Sequence, residues 1–161
     1  MAQSIRGDIK NILSRYRTVA VVGVSRDPLK DSRIVAEYLM SRGYEVIPIN
    51  PFIDELLGKR CYKTLLDMPE EVAGRIDIVD IFRPAEETTQ IVEQAIRLRK
   101  MFGRPDVIWM QLGIVNEEAA RMAEEAGMVV IMDRCIKIEH SRMKDTTKTW
   151  SACRDGVNSI S

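Results

Sequence analysis

The sequence predicts an α/β domain in which a mainly parallel sheet lies between two layers of helices. Short apolar runs rich in β-branched residues alternate along the chain with longer segments whose apolar residues recur at helical spacing. Parallel strands are joined by crossover connections, usually helices, so this alternation favours a parallel sheet covered on both faces. Hydrophobic residues make up 45% of the 161 residues and charged residues 30%, a composition typical of folded globular domains.

The first part of the chain predicts a strand, a helix and a second strand. After an amphipathic opening segment, residues 18–24 form a continuous apolar run, as expected for a strand buried on both faces. The next helical pattern lies between Ser32, which we expect as its N-cap, and Gly43, where we expect the helix to stop. A second apolar run covers 44–49 and ends before Pro51, which cannot donate to a strand ladder.

The rest of the chain repeats this alternation. We expect strands at 76–82, 107–110 and 129–132 and helices at 86–101 and 116–126. Residues 58–62 are compatible with a short sixth strand as well as with a loop. The sequence thus predicts one Rossmann-like three-layer domain over 1–161, with a sheet of five or six strands, a core at about 10–143 and a polar C-terminal tail at about 144–161.

Composition and charge exclude several classes of function. Lys and Arg together number 24, as do Asp and Glu, so no overall positive field points to nucleic acid or to an anionic membrane surface. No apolar run approaches the roughly 20 residues that span a bilayer, and the polar N-terminus lacks a signal-peptide core, so we expect a cytoplasmic protein. Cys61, Cys135 and Cys153 lie far apart and His140 is the only histidine, which favours neither a disulfide framework nor a structural metal site.

Candidate binding residues follow from the position of the strand ends. In open α/β sheets, ligands bind beyond the carboxyl ends of the strands, near the point where the strand order reverses. The residues that follow the predicted strands, or lie close after them, are Gly23, Val24, Ser25, Arg26, Lys30, Arg33, Asn50, Pro51, Phe82, Arg83, Gln111, Gly113, Asn116 and Arg134.

The loop after the first strand is compatible with a phosphate site. Gly23 allows a tight turn or a close approach to a ligand, and Ser25 and the following helix N-terminus offer donors to phosphate. Arg26, Lys30 and Arg33 could add local positive charge. The alternative is that the glycine only permits the turn and the basic residues form a solvated face.

The same loop argues against NAD as the ligand. A dinucleotide fingerprint reads Gly-x-Gly-x-x-Gly, whereas residues 23–28 contain only Gly23. NAD binding also favours an acidic residue at the end of the second strand, where this chain has Asn50. NADP does not require that acid, so an NADP-linked reductase stays open as an alternative.

Several candidates have a structural alternative. Arg83 and Arg134 could contact a ligand or form surface ion pairs, and Asn116 could cap a helix. Cys135 is expected to be buried and inert, because no histidine adjacent in sequence would activate it. No nucleophile elbow, Walker loop or paired-carboxylate motif is present, so no catalytic residue is predicted.

Motifs in a fixed order carry a family resemblance. Five segments, 21–28, 43–51, 77–84, 109–120 and 129–140, resemble the small stand-alone CoA-binding proteins, which are similar to the CoA-binding Rossmann domain of the succinyl-CoA synthetase α subunit. The resemblance covers about residues 10–143. It implies that coenzyme A lies across the strand ends, with its diphosphate near the first loop and its adenosine near the loop after the second strand.

The resemblance implies a ligand but not a reaction. This chain has no second domain with a phosphorylatable histidine, so ligase activity of the chain alone is not expected. We expect a non-catalytic or partner-dependent module that binds coenzyme A or an acyl-CoA. An enzyme acting on an acyl-CoA or on a nucleotide, with Cys135 or an Asp as its reactive group, is the main alternative, and assembly with a second copy or a partner protein stays open.

Overall fold

The computed structural model describes residues 2–143, with side chains from residue 9 onward. In chain order the elements are α1 (Ala2–Arg15), β1 (Thr18–Val22), α2 (Asp31–Ser41), β2 (Glu45–Ile49), β3 (Glu55–Leu56), β4 (Lys59–Arg60), α3 (Glu70–Ala73), β5 (Ile78–Ile81), α4 (Ala85–Phe102), β6 (Val107–Met110), α5 (Glu117–Glu125), β7 (Val129–Ile131) and α6 (136–143). A 3₁₀ turn over Leu65–Asp67 precedes α3.

Five strands form one parallel sheet in the order β2-β1-β5-β6-β7. The predicted α/β fold with a five-stranded parallel sheet is therefore confirmed. The sixth strand considered for 58–62 does not join this sheet. Leu57 and Gly58 both have positive φ and form the turn of a short hairpin, in which β3 and β4 pair with each other. The backbone pairing of this segment with the main sheet is a single bridge between Tyr62 and Ile49.

Alternating side chains place one core on each face of the sheet. Val19, Val21 and Trp109 face the cluster formed with α1, α2 and α6, whereas Ala20 and Val22 face the cluster formed with α3, α4 and α5. The three central strands, β1, β5 and β6, are thus buried on both faces, which explains their continuous apolar sequences. The helices that follow the neighbouring strands β1 and β5, namely α2 and α4, pack on opposite faces of the sheet. From β1 the chain continues to β2 on one side, and from β5 to β6 and β7 on the other, so the switch point of the sheet lies between β1 and β5.

Two helix boundaries clarify the roles of polar residues. Lys30, not Ser32, occupies the N-cap position of α2, and it makes no side-chain cap bond. The Ser32 hydroxyl instead accepts a hydrogen bond from the Ser25 N–H at 3.0 Å, so the expected N-cap role of Ser32 is wrong. Gly43 follows the end of α2 with φ +89°, which confirms the predicted stop.

Within residues 2–143, no helix has the length and apolar character needed to cross a membrane. The predicted tail at 144–161, including Cys153, lies outside the described residues.

Candidate functional site at the carboxyl edge of the sheet

The centre of the site is a close contact between the loops that follow β1 and β5. Gly23 has φ +93°, and a Cβ atom at this position would lie 2.8 Å from Arg83 Cδ and 2.9 Å from the Phe82 carbonyl oxygen. A larger residue therefore meets both a left-handed backbone and a neighbouring main chain. We call this contact of Gly23 with Phe82 and Arg83 the central ridge. The glycine is explained by packing between two loops at the switch point, which sequence spacing alone could not reveal.

One cleft opens on the β2 side of the central ridge. This α4 cleft has a volume of about 320 Å³ and includes Gly23, Asn50, Pro51 and Arg83 of the predicted residues. Its lining also contains residues that the sequence analysis did not single out, namely Phe52, Lys63, Thr64, Glu87, Gln90 and Gln94. Apolar side chains of the strand ends and of α4 complete its lining, so the cleft combines an apolar surface with polar groups, as ligand sites do.

A second cleft opens on the β7 side of the central ridge. This α6 cleft has a volume of about 380 Å³ and is lined by Phe82 and Gln111 of the predicted residues, together with Cys135. Ile34, Leu112 and Ile138 supply apolar surface. Cys135 is half-buried rather than buried, which corrects the expectation of a fully buried thiol and places it where a ligand could reach it.

The loop after β1 is held in shape by its own side chains. The Asp27 N–H donates to the Ser25 hydroxyl at 3.0 Å, and the Leu29 N–H donates to an Asp27 carboxylate oxygen at 3.0 Å. The Ser25 N–H is already bound by Ser32. Val24 is fully buried, and its carbonyl oxygen already accepts a hydrogen bond from the Asn50 amide at 2.8 Å. Ser25 thus positions the loop, and its backbone N–H is not free for phosphate.

The three basic residues near this loop differ in their pairing. Arg33 forms an ion pair with Glu37 at 3.0 Å and donates to the Arg26 carbonyl oxygen at 2.9 Å. Arg26 donates to the Phe52 carbonyl oxygen at 3.3 Å and, like Lys30, forms no ion pair with any described residue. Arg26 and Lys30 are exposed and can face a ligand, whereas the Arg33 charge is already paired.

Asn50 and Arg83 connect the elements around the α4 cleft. The Asn50 amide donates to the Val24 carbonyl oxygen at 2.8 Å and accepts from the Phe52 N–H at 2.8 Å, so it ties the loops after β1 and β2 together. Arg83 forms a two-pronged pair with Glu87, with distances of 2.8 and 3.1 Å. This is the ion pair considered from the sequence. It holds the guanidinium at the edge of the cleft.

The residues after β6 have internal partners. Gln111 is buried, and its side-chain oxygen accepts from the Ile136 N–H at 3.1 Å, which fixes the start of α6. The Gly113 N–H donates to an Asp133 carboxylate oxygen at 2.7 Å. These contacts connect the ends of β6 and β7 and support one wall of the α6 cleft.

Asn116 and Arg134 line neither cleft. The Asn116 side-chain oxygen accepts from the Ala119 N–H at 2.9 Å, and its amide nitrogen donates to Ala85 and Thr89. Asn116 is therefore the N-cap of α5, one of the two roles considered. Arg134 pairs with Glu139 at 3.3 Å, so its charge is also compensated within the fold.

One buried acid was not identified from the sequence. Asp80 lies within β5, is fully buried, and neither of its carboxylate oxygens has a hydrogen-bond partner among the described residues. Burial raises the pKa of Asp80 well above its usual value, because a buried carboxylate without hydrogen-bond donors is disfavoured relative to the neutral acid. An aspartate inside the apolar run 78–81 was the available signal.

The chain matches known proteins over most of the described region. Residues 17–141 match the family model of a CoA binding domain. YneT from Bacillus subtilis (strain 168) is 40% identical over 144 residues, which cover 89% of this chain and 100% of YneT. A solved structure from Pyrococcus horikoshii OT3 is 40% identical with a TM-score of 0.77, and the match covers 85% of this chain and 90% of that protein.

Part of the chain is also similar to a larger enzyme. The ADP-forming acetate–CoA ligase of Methanocaldococcus jannaschii is 29% identical over 82 residues, 51% of this chain but only 11% of the ligase. These matches confirm the resemblance that the ordered motifs predicted. Because the family model spans residues 17–141 and YneT is matched over its whole length, the chain belongs to the CoA binding domain family.

Proposed function

We propose that this chain binds coenzyme A, free or acylated, across the carboxyl edge of its sheet. The observation that carries the proposal is the central ridge at Gly23, which lies at the switch point and has one cleft on each side. Membership of the CoA binding domain family supports coenzyme A over other phosphorylated nucleotides. The ridge and the two clefts together provide an extended site for an extended ligand.

The proposed orientation follows from the chemistry of the two clefts. Each cleft, at about 320 and 380 Å³, lies near the lower end of the range for small-molecule sites, roughly 300 to 1,000 Å³, so the ligand would occupy both. We assign the adenosine end to the α4 cleft, next to Asn50 and Lys63, and the thiol end to the α6 cleft, next to Phe82 and Gln111. The diphosphate would then cross the ridge, where Arg26 and Lys30 are the exposed cations without an ion pair among the described residues.

The proposed role is binding rather than catalysis. Within the described residues, the only histidine, His140, lies 2.7 Å from the Tyr38 hydroxyl through Nδ1, so Tyr38 rather than Cys135 holds that ring nitrogen. An acyl group on the ligand would meet an apolar lining that includes Ile34 and Ile138. The Nδ1 atom of His140 would therefore not act as the base for a nucleophile beside that acyl group.

Isothermal titration calorimetry with coenzyme A, 3′-dephospho-CoA, 4′-phosphopantetheine and NADP tests the proposal. We expect coenzyme A to bind well below millimolar concentration and more tightly than NADP. Absence of binding by every CoA species below millimolar concentration would refute the proposal. Tighter binding of NADP than of coenzyme A would favour a reductase instead.

Cys135 favours a second candidate function. Because its half-buried thiol lines the α6 cleft, an enzyme that transfers the acyl group of a CoA thioester to this thiol is a specific alternative. A panel of acyl-CoA thioesters tests it by release of free CoA. Turnover that disappears in Cys135→Ser while acyl-CoA binding is retained would favour the enzyme, and absence of turnover across the panel would favour the binding module.

A further inference from the structure

Phe52 is held in a position that its chemistry alone disfavours. Its side chain is 86% exposed, whereas the neighbouring Ile53 is only 5% exposed. Exposing a phenyl ring forgoes the hydrophobic stabilisation that burial provides, so a ligand that covers this ring would recover it. Phe52 lies at the mouth of the α4 cleft and contributes to its lining.

The backbone on both sides of this ring is anchored. The Phe52 N–H donates to the Asn50 side-chain oxygen at 2.8 Å, and the Phe52 carbonyl oxygen accepts from Arg26 at 3.3 Å. Asn50 in turn donates to the Val24 carbonyl oxygen. The ring is thus presented by a segment that is tied to the loop after β1, and it does not extend from an untethered turn.

The same cleft contains two unpaired amide side chains. Gln90 and Gln94 are one helical turn apart on α4, and neither side chain forms a hydrogen bond with the residues that the structure describes. Each primary amide carries both a donor and an acceptor, the combination that pairs with the edge of adenine. Lys63 also lines the cleft and forms no ion pair within 2–143, so it is available to a phosphate.

An aromatic surface, free amides and a free cation in one cleft match a phosphorylated purine nucleoside. A base has a flat π face for stacking and an edge that carries donors and acceptors, so it can use both the ring and the amides, whereas an acyl chain can pair with neither amide. Resting on the proposed binding of coenzyme A, we infer that Phe52 is the stacking platform for the purine base and that Gln90 and Gln94 bind the edge of that base.

The test compares ligands with and without the base. In Phe52→Ala, we expect the affinity for coenzyme A and for adenosine 3′,5′-bisphosphate to fall about tenfold or more, with the affinity for 4′-phosphopantetheine unchanged. Phe52→Trp should restore the affinity, and stacking should quench the emission of the new indole when adenosine 3′,5′-bisphosphate binds. Met101→Ala is the control, because Met101 is 62% exposed at the other end of α4 and lines no part of the cleft.

Other outcomes contradict the inference in distinct ways. An equal loss for 4′-phosphopantetheine in Phe52→Ala would mean that Phe52 only supports the loop, and unchanged affinity for all three ligands would remove it from the site. Gln90→Ala combined with Gln94→Ala should weaken both base-containing ligands, and no effect would overturn the assigned role of the amides. If the wild-type chain does not bind coenzyme A, the proposed function fails, while adenosine 3′,5′-bisphosphate still tests the stacking on its own.

Discussion

At the amino edge of the sheet one carboxylate gathers three side-chain hydrogen bonds, whereas at the carboxyl edge several basic side chains have no ion pair among the described residues. Asp106 accepts hydrogen bonds from Tyr16 at 2.9 Å, from Arg99 at 2.8 Å and from Arg104 at 2.6 Å. At the other edge, Arg26 and Lys63 have no ion pair among the described residues, and two clefts flank the central ridge. This difference is what we expect if the amino edge contributes mainly to stability and the carboxyl edge, as proposed, mainly to binding.

Strand β5 shows the same contrast over three residues. Asp77, just before the strand, accepts from the backbone N–H groups of Arg17 and Thr18 and pairs with Arg104 at 3.1 Å. The carboxylate oxygens of Asp80, within the strand, have no hydrogen-bond partner among residues 2–143. Phe82 at its end lines the α6 cleft. The carboxylate just before β5 thus has hydrogen-bond and ion-pair partners. The carboxyl group inside the strand, closer to the carboxyl edge where we propose that the ligand binds, is buried without a hydrogen bond among the described residues.

The largest expected effect is a difference in the free energy of unfolding between variants of two glycines at opposite edges of the sheet. Gly23 and Gly43 have similar φ values, +93° and +89°, but only at Gly23 would a Cβ meet neighbouring atoms. Gly43→Ala should lower the free energy of unfolding by about 1 kcal/mol through backbone strain. Gly23→Ala should lower it by about 3 kcal/mol, because overpacking adds to the strain, and should reduce CoA affinity at least roughly tenfold.

Chemical denaturation and calorimetry on both variants measure this difference. Equal losses of stability in the two variants, with normal CoA binding by Gly23→Ala, would show that the central ridge does not shape the site.

The second prediction concerns the amino edge. Asp106→Ala removes the acceptor for Tyr16, Arg99 and Arg104, so we expect the free energy of unfolding to fall by about 2 kcal/mol. The affinity for coenzyme A should not change, since Asp106 lies at the far end of the sheet. Urea unfolding and calorimetry provide the two measurements. A loss of affinity in a folded Asp106→Ala variant would break the division of roles between the edges.

The third prediction uses Asp80 to measure the cost of the unsatisfied group. Burial raises the pKa of Asp80 in the folded state, so the folded chain keeps this proton to a higher pH than the unfolded chain does. The free energy of unfolding therefore falls as the pH rises above about 3.9, the pKa of an aspartate in the unfolded chain. Asp80→Val removes that ionisation and the unpaired oxygens. We expect the variant to be more stable than the wild type at pH 8, by about 1.5 kcal/mol, with a smaller difference at pH 5.

Urea unfolding at both pH values gives this comparison. A wild-type chain that is more stable than Asp80→Val at pH 8 would mean that Asp80 has a favourable partner in solution.

The fold was largely predictable because the central strands of the sheet are buried on both faces. The continuous apolar runs 18–24 and 107–110 need no knowledge of their neighbours to be recognised. The role of an individual serine side chain was harder to predict. Ser32 has the side chain of an N-cap, but it lies inside α2 and bonds to Ser25 across the loop. The identity of the residue indicated a short-range hydrogen bond without specifying the partner.

The candidate site was predictable only in its location. The strand-end rule selected Gly23, Asn50 and Arg83, which line the α4 cleft. It could not select Gln90 or Gln94, because the face that α4 presents to the cleft depends on how its buried face packs against the sheet. The same limit explains Cys135, whose exposure depends on how α6 leaves the end of β7.

The smallest expected effect concerns the pairing of Arg83 at the carboxyl edge. Glu87 holds the Arg83 guanidinium and adds a negative charge to the α4 cleft. Glu87→Gln should release that guanidinium and increase CoA affinity by roughly two- to fivefold, while stability changes by less than about 0.5 kcal/mol, because the pair is largely exposed. Glu93→Gln makes the same charge change on the exposed face of α4 outside the cleft and should leave the affinity unchanged. Weaker CoA binding by Glu87→Gln would mean that the ion pair itself positions Arg83 for the ligand.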